Sequence, residues 1–584
     1  MRNLSTIPFQ VASHFPRLLA QDILPEETRQ ILRSHAASLI GKTYPSIPLS
    51  AFGEFHRNGN RTHYQRLVEE RNADLADLLF AAFFDQTDAC IPSLLDLVYL
   101  ITSEIAWWLP AHNLYQRDAR IIAYPDTTRP IICLHAAETA ALLALTVTLL
   151  DDRLPGEAIR HVKAEIERRI LIPYETMHFW WMGDGGEQVN NWGPWCTQNV
   201  LLCYALLVAD PIRKQQAIQH ACRTLDRFLE GYGDDGACEE GPEYYHHAAV
   251  TLFGSLWVLQ GMTGNAFSCV FEEAKIRNMA AFVKQMHISE DWYFNFSDCS
   301  ARIAPSGLKE YGFAKAVHDT DLMRFFRTGW MCRSIPEKLL LSSRYAFDRL
   351  CTYALWKEVT EAPDVPIADQ RKTGAVHFPS TGLHLFRTKG FDVALNAGNN
   401  GVSHNHNDTG SIILFKEGKP VLIDVGVETY TAKTFSPERY TIWTMQDWFH
   451  NLTIFPSFQQ QAGASFRATD VMVSDHGVSC ELAKAYPPSM PLESYRREVS
   501  FGNGCVVIRD VVRTSVSHEL VLMSAFFPQR TATGLMIGPA CLEFQGIPKT
   551  ESILLEDEKL RNVWGEHIYR TTIPYGQEIM VSIT

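Results

Sequence analysis

Over roughly the first 360 residues the apolar positions recur at helical spacing. The run 136–150, Ala-Ala-Glu-Thr-Ala-Ala-Leu-Leu-Ala-Leu-Thr-Val-Thr-Leu-Leu, is rich in helix formers and free of Gly and Pro, which predicts a long helix. Leu154-Pro-Gly-Glu restarts a second helix over 158–171, with Ile159, Val162, Ile166 and Ile170 on one face. Asp210-Pro211 is an N-cap followed by proline at the first helical position, opening a helix through Leu229. Runs at 198–208 and 246–259 continue a rhythm of helix pairs joined by Gly-rich and Trp-rich loops, with no evident sequence repeat. Paired antiparallel helices without strands suit either a solenoid or a closed toroid of hairpins.

Between residues 358 and 377 the pattern changes. Glu361-Ala-Pro-Asp-Val-Pro366 and Gln370-Arg-Lys-Thr-Gly374 carry turn formers and charge but no apolar period, so a linker is expected over 361–376. It separates an expected helical domain, 1–360, from a second domain, 377–584. Beyond it come short runs rich in β-formers at 382–387, 392–396, 411–415, 421–423, 505–513 and 519–523, punctuated by Gly, Asn and Asp. These predict antiparallel sheets packed as a β-sandwich. A cleft between a helical and a sheet domain would suit an extended ligand.

Composition narrows the picture. A chain of 584 residues exceeds what one core organises, and 46% hydrophobic with 20% charged residues is ordinary globular usage. The net charge of −13 argues against nucleic acid, which demands a basic field. No apolar run approaches the ~20 residues that span a bilayer, and the N-terminal residues lack a signal-peptide pattern, so a cytoplasmic location without membrane attachment is expected. Thirteen scattered cysteines with no C-x-x-C pair read as reduced, mostly buried thiols. Oligomeric state is not legible.

Three stretches carry candidate chemistry. The first is Gly401-Val-Ser-His-Asn-His-Asn-Asp408, read with Leu422-Ile-Asp424 and Phe449-His-Asn451. In a strand, His404 and His406 would share a face. Imidazole nitrogen and carboxylate oxygen suit a borderline cation such as zinc, so His406, Asp424 and His450 form a candidate ligand set, leaving His404 for chemistry. Ordinary polar loop residues are the plain alternative. The second is the loop 179–195, with four tryptophans and the amide pair Asn190-Asn191 ahead of Trp192. Aromatic faces stack on sugar rings and amides grip hydroxyls or carboxylates, although some of these tryptophans are expected to pin the loop to the helices below. The third is Glu239-Glu-Gly-Pro-Glu-Tyr-Tyr-His-His247, where proline marks a helix start and at most one of Tyr244 and Tyr245 can face a given site. Arg61 and His112 are further substrate-contact candidates, as are Arg439 and Tyr440.

These motifs, in this order, resemble the heparinase II/III family of polysaccharide lyases, in which His-x-His-x-Asp-x-Gly-Ser precedes a strand ending in Asp and then His-Asn. The resemblance chooses the toroid over the solenoid. It implies a mainly structural zinc on His406, Asp424 and His450, with His404 facing the substrate. It further implies Asn191 as the amide that neutralises a uronate carboxylate and Tyr244 as the catalytic tyrosine. Tyr440 sits where alginate-lyase relatives carry a second active tyrosine. Trp192 stands where some relatives have a histidine, which removes that base. The implied reaction is β-elimination on a uronic-acid polysaccharide or oligosaccharide, with glycosaminoglycans favoured. Two other classes compete: a zinc hydrolase using the same ligands around an open site, and a non-catalytic carbohydrate-binding protein.

Overall fold

A computed structural model describes the chain apart from residues 87, 118, 188, 305–306, 364–372 and 503. Two compact units emerge from it, and each is interrupted in sequence. The helical unit comprises Met1–Tyr232, His246–Ala281 and Pro305–Asp364; the sheet unit comprises Gly233–Tyr245, Phe282–Ala304 and Val365–Thr584. Of the expected linker, residues 364–372 lie outside the described residues. The last helix before it is Ala346–Glu361 and the first strand after it Gly374–Phe378.

In the helical unit the expected elements form close to their expected limits. Leu134–Leu149 is one helix, buried on nearly every side, and it packs against Trp192–Leu207, which packs in turn on Ala249–Thr263 and Pro211–Gly231. A helix that is apolar all round belongs in the interior. Asp210 caps the last of these, its carboxylate accepting the Ile212 N–H at 2.8 Å. The expected 158–171 helix is Gly156–Ile166 running into a π-helical turn, Glu167–Leu171, and a further short helix, Ile172–Thr176.

Inside this unit a polar network replaces apolar packing. His246 lies between Glu310 (2.7 Å) and Asp348 (2.7 Å), and Lys309 bridges Asp348 (2.9 Å) to Gln198 (2.8 Å). Burial alone would depress the His246 imidazole, but the two carboxylates outweigh it and raise it to about 10. His247 next to it stacks on Trp195, ring centroids 4.1 Å apart.

Among the described residues the sheet unit holds an eight-stranded, a five-stranded and a four-stranded antiparallel sheet, besides two short two-stranded pairs. The five-stranded sheet contains Leu383–Arg387, Phe391–Asn396 and Ile412–Lys416, all foreseen from their runs of β-forming residues. The eight-stranded sheet is built on Leu492–Gly502 paired with Cys505–Thr514. Along the latter, Val506, Ile508, Asp510 and Val512 point inward and their neighbours outward. One core joins residues of all three large sheets, among them Val393, Leu414, Val506, Ile508, Leu520 and Ile573.

Asp510 is the exception within that core, and it has a partner of equal depth. Arg497 meets it through two hydrogen bonds, 2.6 and 2.8 Å, and turns its remaining nitrogen to the carbonyls of Gly410 (2.7 Å) and Asn451 (2.5 Å). A buried pair of this kind is a weak source of stability but a strong constraint on geometry. Here it ties the two segments that carry His406 and His450.

Candidate functional site

The candidate residues of the second domain converge within the sheet unit, but not on a strand. The segment 401–410 is turn and loop, and His404 takes a left-handed backbone (φ 58°), sparsely populated for any residue but glycine. The same-face argument from strand alternation therefore does not apply. The two histidines instead address opposite oxygens of one carboxylate, that of Asp298. His404 Nδ1 lies 2.8 Å from Asp298 Oδ2 and His406 Nε2 lies 3.1 Å from Oδ1.

Asp298 is fully buried and has two further partners: Arg439 donates to Oδ1 at 2.6 Å, and the Tyr430 hydroxyl donates to Oδ2 at 3.1 Å. Burial would push the carboxyl up; the bonds from His404 and His406 and the charge of Arg439 prevail and hold it well below the usual carboxylate range. Arg439 also donates to the carbonyls of Asn405 and Thr434, so its guanidinium fastens the motif loop. Its neighbour Tyr440 accepts from the Asn405 side-chain amide at 3.3 Å.

Tyr244 belongs to this same unit. Its hydroxyl is 2.6 Å from that of Tyr430, and its ring centroid is 4.7 Å from that of His404. Tyr430 in turn lies 3.3 Å from His404 Nδ1. The approach depends on Gly241, at φ +88°, where a Cβ would meet Cys299 Cβ at 2.8 Å and the Phe296 carbonyl at 2.9 Å. That close passage lays the segment before Tyr244 against the one carrying Asp298, and the Glu243 carboxylate fixes it by accepting the Ser300 N–H at 2.8 Å. Tyr245 is buried, as befits the core partner of the pair.

Charge around His404 is acidic. Glu240 Oε1 stands 3.6 Å from Nε2, opposite Asp298 on Nδ1. Burial lowers the imidazole's proton affinity, and Glu240 and Asp298 more than restore it, so the group sits above its ordinary range. Burial drives the Tyr244 phenol well above the usual value, with Glu240 adding to it, so Tyr244 stays protonated at neutral pH.

His406, Asp424 and His450 form the remaining cluster, with one potential ligand atom from each, all within 4.8 Å of one another. His406 Nδ1 faces His450 Nε2 at 3.4 Å, and that nitrogen is 3.3 Å from Asp424 Oδ2. The outer ring nitrogens are engaged elsewhere, His406 Nε2 with Asp298 and His450 Nδ1 with the Gln446 carbonyl at 2.8 Å. This leaves the inner lone pairs directed at one point, the arrangement in which outer partners set the tautomers of metal-ligating histidines. Asp424 Oδ2 is buried and makes no hydrogen bond among the described residues, while Oδ1 accepts the Gly426 N–H. Two imidazoles and a carboxylate with an orphaned oxygen fit a zinc ion. Asn451, beside His450, donates to the Ile412 and Ile423 carbonyls and accepts from Met523 N–H, so it joins three strands beneath the cluster.

The other candidates lie in the helical unit. Asn191 immediately precedes the helix Trp192–Leu207 and is buried. Asn190, one residue further out, accepts the Trp192 N–H at 3.1 Å. Trp192 meets His112 edge-on, centroids 4.6 Å apart, and His112 is neutral because burial, with Arg61 adding to it, pushes its imidazole well below the ordinary range. Trp181 and Trp195 are core residues, their indole N–H groups bonded to the Ile132 carbonyl and the Glu138 carboxylate.

Sequence reasoning missed Asp298, Tyr430 and the role of Glu240. Glu240 lay inside the third motif, and Tyr430 follows the candidate ligand Asp424 by six residues, a faint signal. Asp298, in Phe294-Asn-Phe-Ser-Asp298, offered none.

With this geometry established, known proteins were compared. Residues 370–533 match the family described as heparinase II/III-like, C-terminal. A search of curated protein sequences gave no match. Among solved structures, heparinase III superposes with a TM-score of 0.65 at 13% identity, over 99% of this chain and 87% of that one. A mutant of the heparan sulfate lyase HepC from Pedobacter heparinus gives 0.55 at 12%, over 99% and 86%. The chondroitin AC lyase of Streptomyces coelicolor A3, in complex with chondroitin sulphate, gives 0.54 at 11%, over 96% and 82%. At such identities the likeness is one of fold, a helical toroid followed by antiparallel β-sheets. Residues 370–533 are thus heparinase II/III-like, and the chain as a whole shares the fold of these solved structures.

Proposed function

We propose that this chain cleaves a 4-linked, uronic-acid-containing polysaccharide or oligosaccharide by β-elimination, leaving an unsaturated uronate, with glycosaminoglycans the favoured substrates. The observation that carries the reading is the meeting of a phenol, Tyr244, and a carboxylate-oriented imidazole, His404, in one hydrogen-bonded group. Elimination needs a base for the C5 proton and an acid for the departing O4. With Asp298 accepting from Nδ1, His404 presents the Nε2 lone pair as base, the orienting logic of a carboxylate behind a catalytic imidazole. Tyr244, kept protonated, serves as the acid. Asn191 is assigned to the substrate carboxylate, where an amide donor stabilises the charge that develops on the enolate. Arg61, His112, Asn190, Trp192 and Tyr440 are assigned to substrate contact. For Arg439 the buried ties to Asp298 and Asn405 support a positioning role instead.

His406, Asp424 and His450 are assigned to a zinc ion, which would supply a structural clamp. Burial supports that role over a hydrolytic one: all three side chains are at most 1% exposed, whereas a catalytic zinc keeps a position open to substrate. We expect close to one zinc per chain by elemental analysis, lost on His450→Ala together with several degrees of thermal stability. Normal metal content in that variant would remove the assignment.

The reaction is tested by incubating the protein with glycosaminoglycans, alginate and gellan-type glycans and following ultraviolet absorbance of the unsaturated product. Absorbance rising with one glycosaminoglycan is the expected result. Cleavage without absorbance would mean hydrolysis, and binding without cleavage a carbohydrate-binding protein.

A further inference from the structure

The mechanism above leaves one member of the site without a task. Tyr430 touches three groups of it: the Tyr244 hydroxyl at 2.6 Å, His404 Nδ1 at 3.3 Å and Asp298 Oδ2 at 3.1 Å. The chain also invests in holding it there. Tyr430 ends a loop that leaves the sheet at Asp424, and the helix Glu558–Trp564 with its N-cap residue secures that loop at three points. The Trp564 indole donates to the Val425 carbonyl at 2.9 Å, the Asp557 carboxylate accepts the Thr429 N–H at 3.0 Å, and the Lys559 ammonium lies 5.6 Å from the centre of the Tyr430 ring. Phe435 packs edge-on against the same ring, centroids 5.1 Å apart. At the loop's start Gly426, φ +81°, passes so near the Cys299 carbonyl that a Cβ would meet it at 3.0 Å.

We infer that Tyr430 is a positioning residue that aims the Tyr244 hydroxyl and resupplies it with a proton during the elimination. The inference rests on the lyase reading. A hydroxyl both donates and accepts, so one placed between a phenol and an imidazole can pass a proton once its O–H turns from Asp298 Oδ2 to the Tyr244 oxygen. The C5–H bond breaks, its proton going to His404 Nε2 and its electron pair forming the C4–C5 double bond. The C4–O4 bond breaks, O4 keeping the pair and taking the Tyr244 proton. The Tyr244 oxygen takes the Tyr430 proton, and Tyr430 takes the one on His404 Nδ1, directly or by way of Asp298 Oδ2. Substrate loses C5–H and the product alcohol gains O4–H; both tyrosines end as they began. His404 ends with its proton on Nε2 instead of Nδ1, and exchange with water restores the starting tautomer.

The test is Tyr430→Phe in the full chain, which keeps the ring and removes the hydroxyl. We expect kcat to fall about 30-fold with KM within about twofold, the lower range for a group assisting proton transfer at one remove. A structural role would not predict the second readout: kcat in mixtures of light and heavy water should depend on deuterium fraction along a curve for the natural protein and along a straight line for the variant. Replacing Tyr430 by 3-fluorotyrosine, which retains a hydroxyl of nearly the same size, should restore most of the lost kcat. A variant with unchanged kcat and an unchanged curve, or a fluorotyrosine protein as slow as the phenylalanine one, would overturn the relay while leaving the lyase assignment standing. If the natural protein makes no unsaturated product from any uronate glycan, the lyase reading fails and the relay with it.

Discussion

Tyr244→Phe is expected to lower kcat by about 10³-fold or more, about 4 kcal/mol of transition-state stabilisation, with KM moved less than about threefold. The departing O4 is an alkoxide unless it is protonated as the bond breaks, and no water is a strong enough acid to substitute well at neutral pH. A phenol held protonated by burial and by Glu240 is suited to that single delivery. Stability should change by less than about 1 kcal/mol, because Tyr430 keeps its bond to Asp298 and is not orphaned by the loss of its neighbour. The measurement is the initial rate of ultraviolet absorbance increase on the best glycan of the panel, alongside thermal unfolding. A variant retaining more than a tenth of the natural kcat would remove Tyr244 from the role of acid. Equal glycan affinity in two proteins that both make no product would favour the binding-protein reading.

Legibility of this molecule in its sequence divides along local and non-local lines. The helix 134–149 was readable from its unbroken run of helix formers and the strand 505–514 from its own β-forming residues, and a capped start such as Asp210-Pro211 needs nothing from elsewhere in the chain. The strand 492–502 was missed: Leu492-Glu-Ser-Tyr-Arg-Arg-Glu-Val499 carries three consecutive charges at 496–498 that break the alternation, and one of them, Arg497, points inward only because Asp510 waits on the neighbouring strand. The clustering of His406, Asp424 and His450 was readable for a similar reason, since each residue lies in a short recognisable run. Asp298 was not. It comes from an excursion of the largely helical part of the sequence that packs into the sheet unit, and its meaning depends on residues more than a hundred positions away. Tyr440 attracted notice through its family position, while the tyrosine bonded to Tyr244 is Tyr430.

That hidden residue yields the second large effect. Asp298→Ala should abolish most activity and most of the metal affinity together, because one carboxylate sets the tautomers of both histidines. Without it, nothing holds the His404 proton on Nδ1, and by analogy with other carboxylate–imidazole pairs kcat should fall by about 10³- to 10⁴-fold. His406 loses the acceptor behind its outer nitrogen, which typically weakens metal binding about 10- to 100-fold. Arg439 is left as a buried cation without its counter-charge, a loss of about 3–5 kcal/mol in stability. Asp298→Asn separates these causes. The amide fills the same volume and its carbonyl oxygen can still accept from Arg439, so the stability loss should be less than half that of alanine. Its NH₂ end, however, can only donate, and it would turn one histidine to the wrong tautomer. Activity in the asparagine variant should therefore be nearly as low as in alanine, while the thermal midpoint lies much closer to the natural value. If instead activity tracked stability across the two variants, the carboxylate would be a structural anchor for the loop and the tautomer argument for His404 would fall.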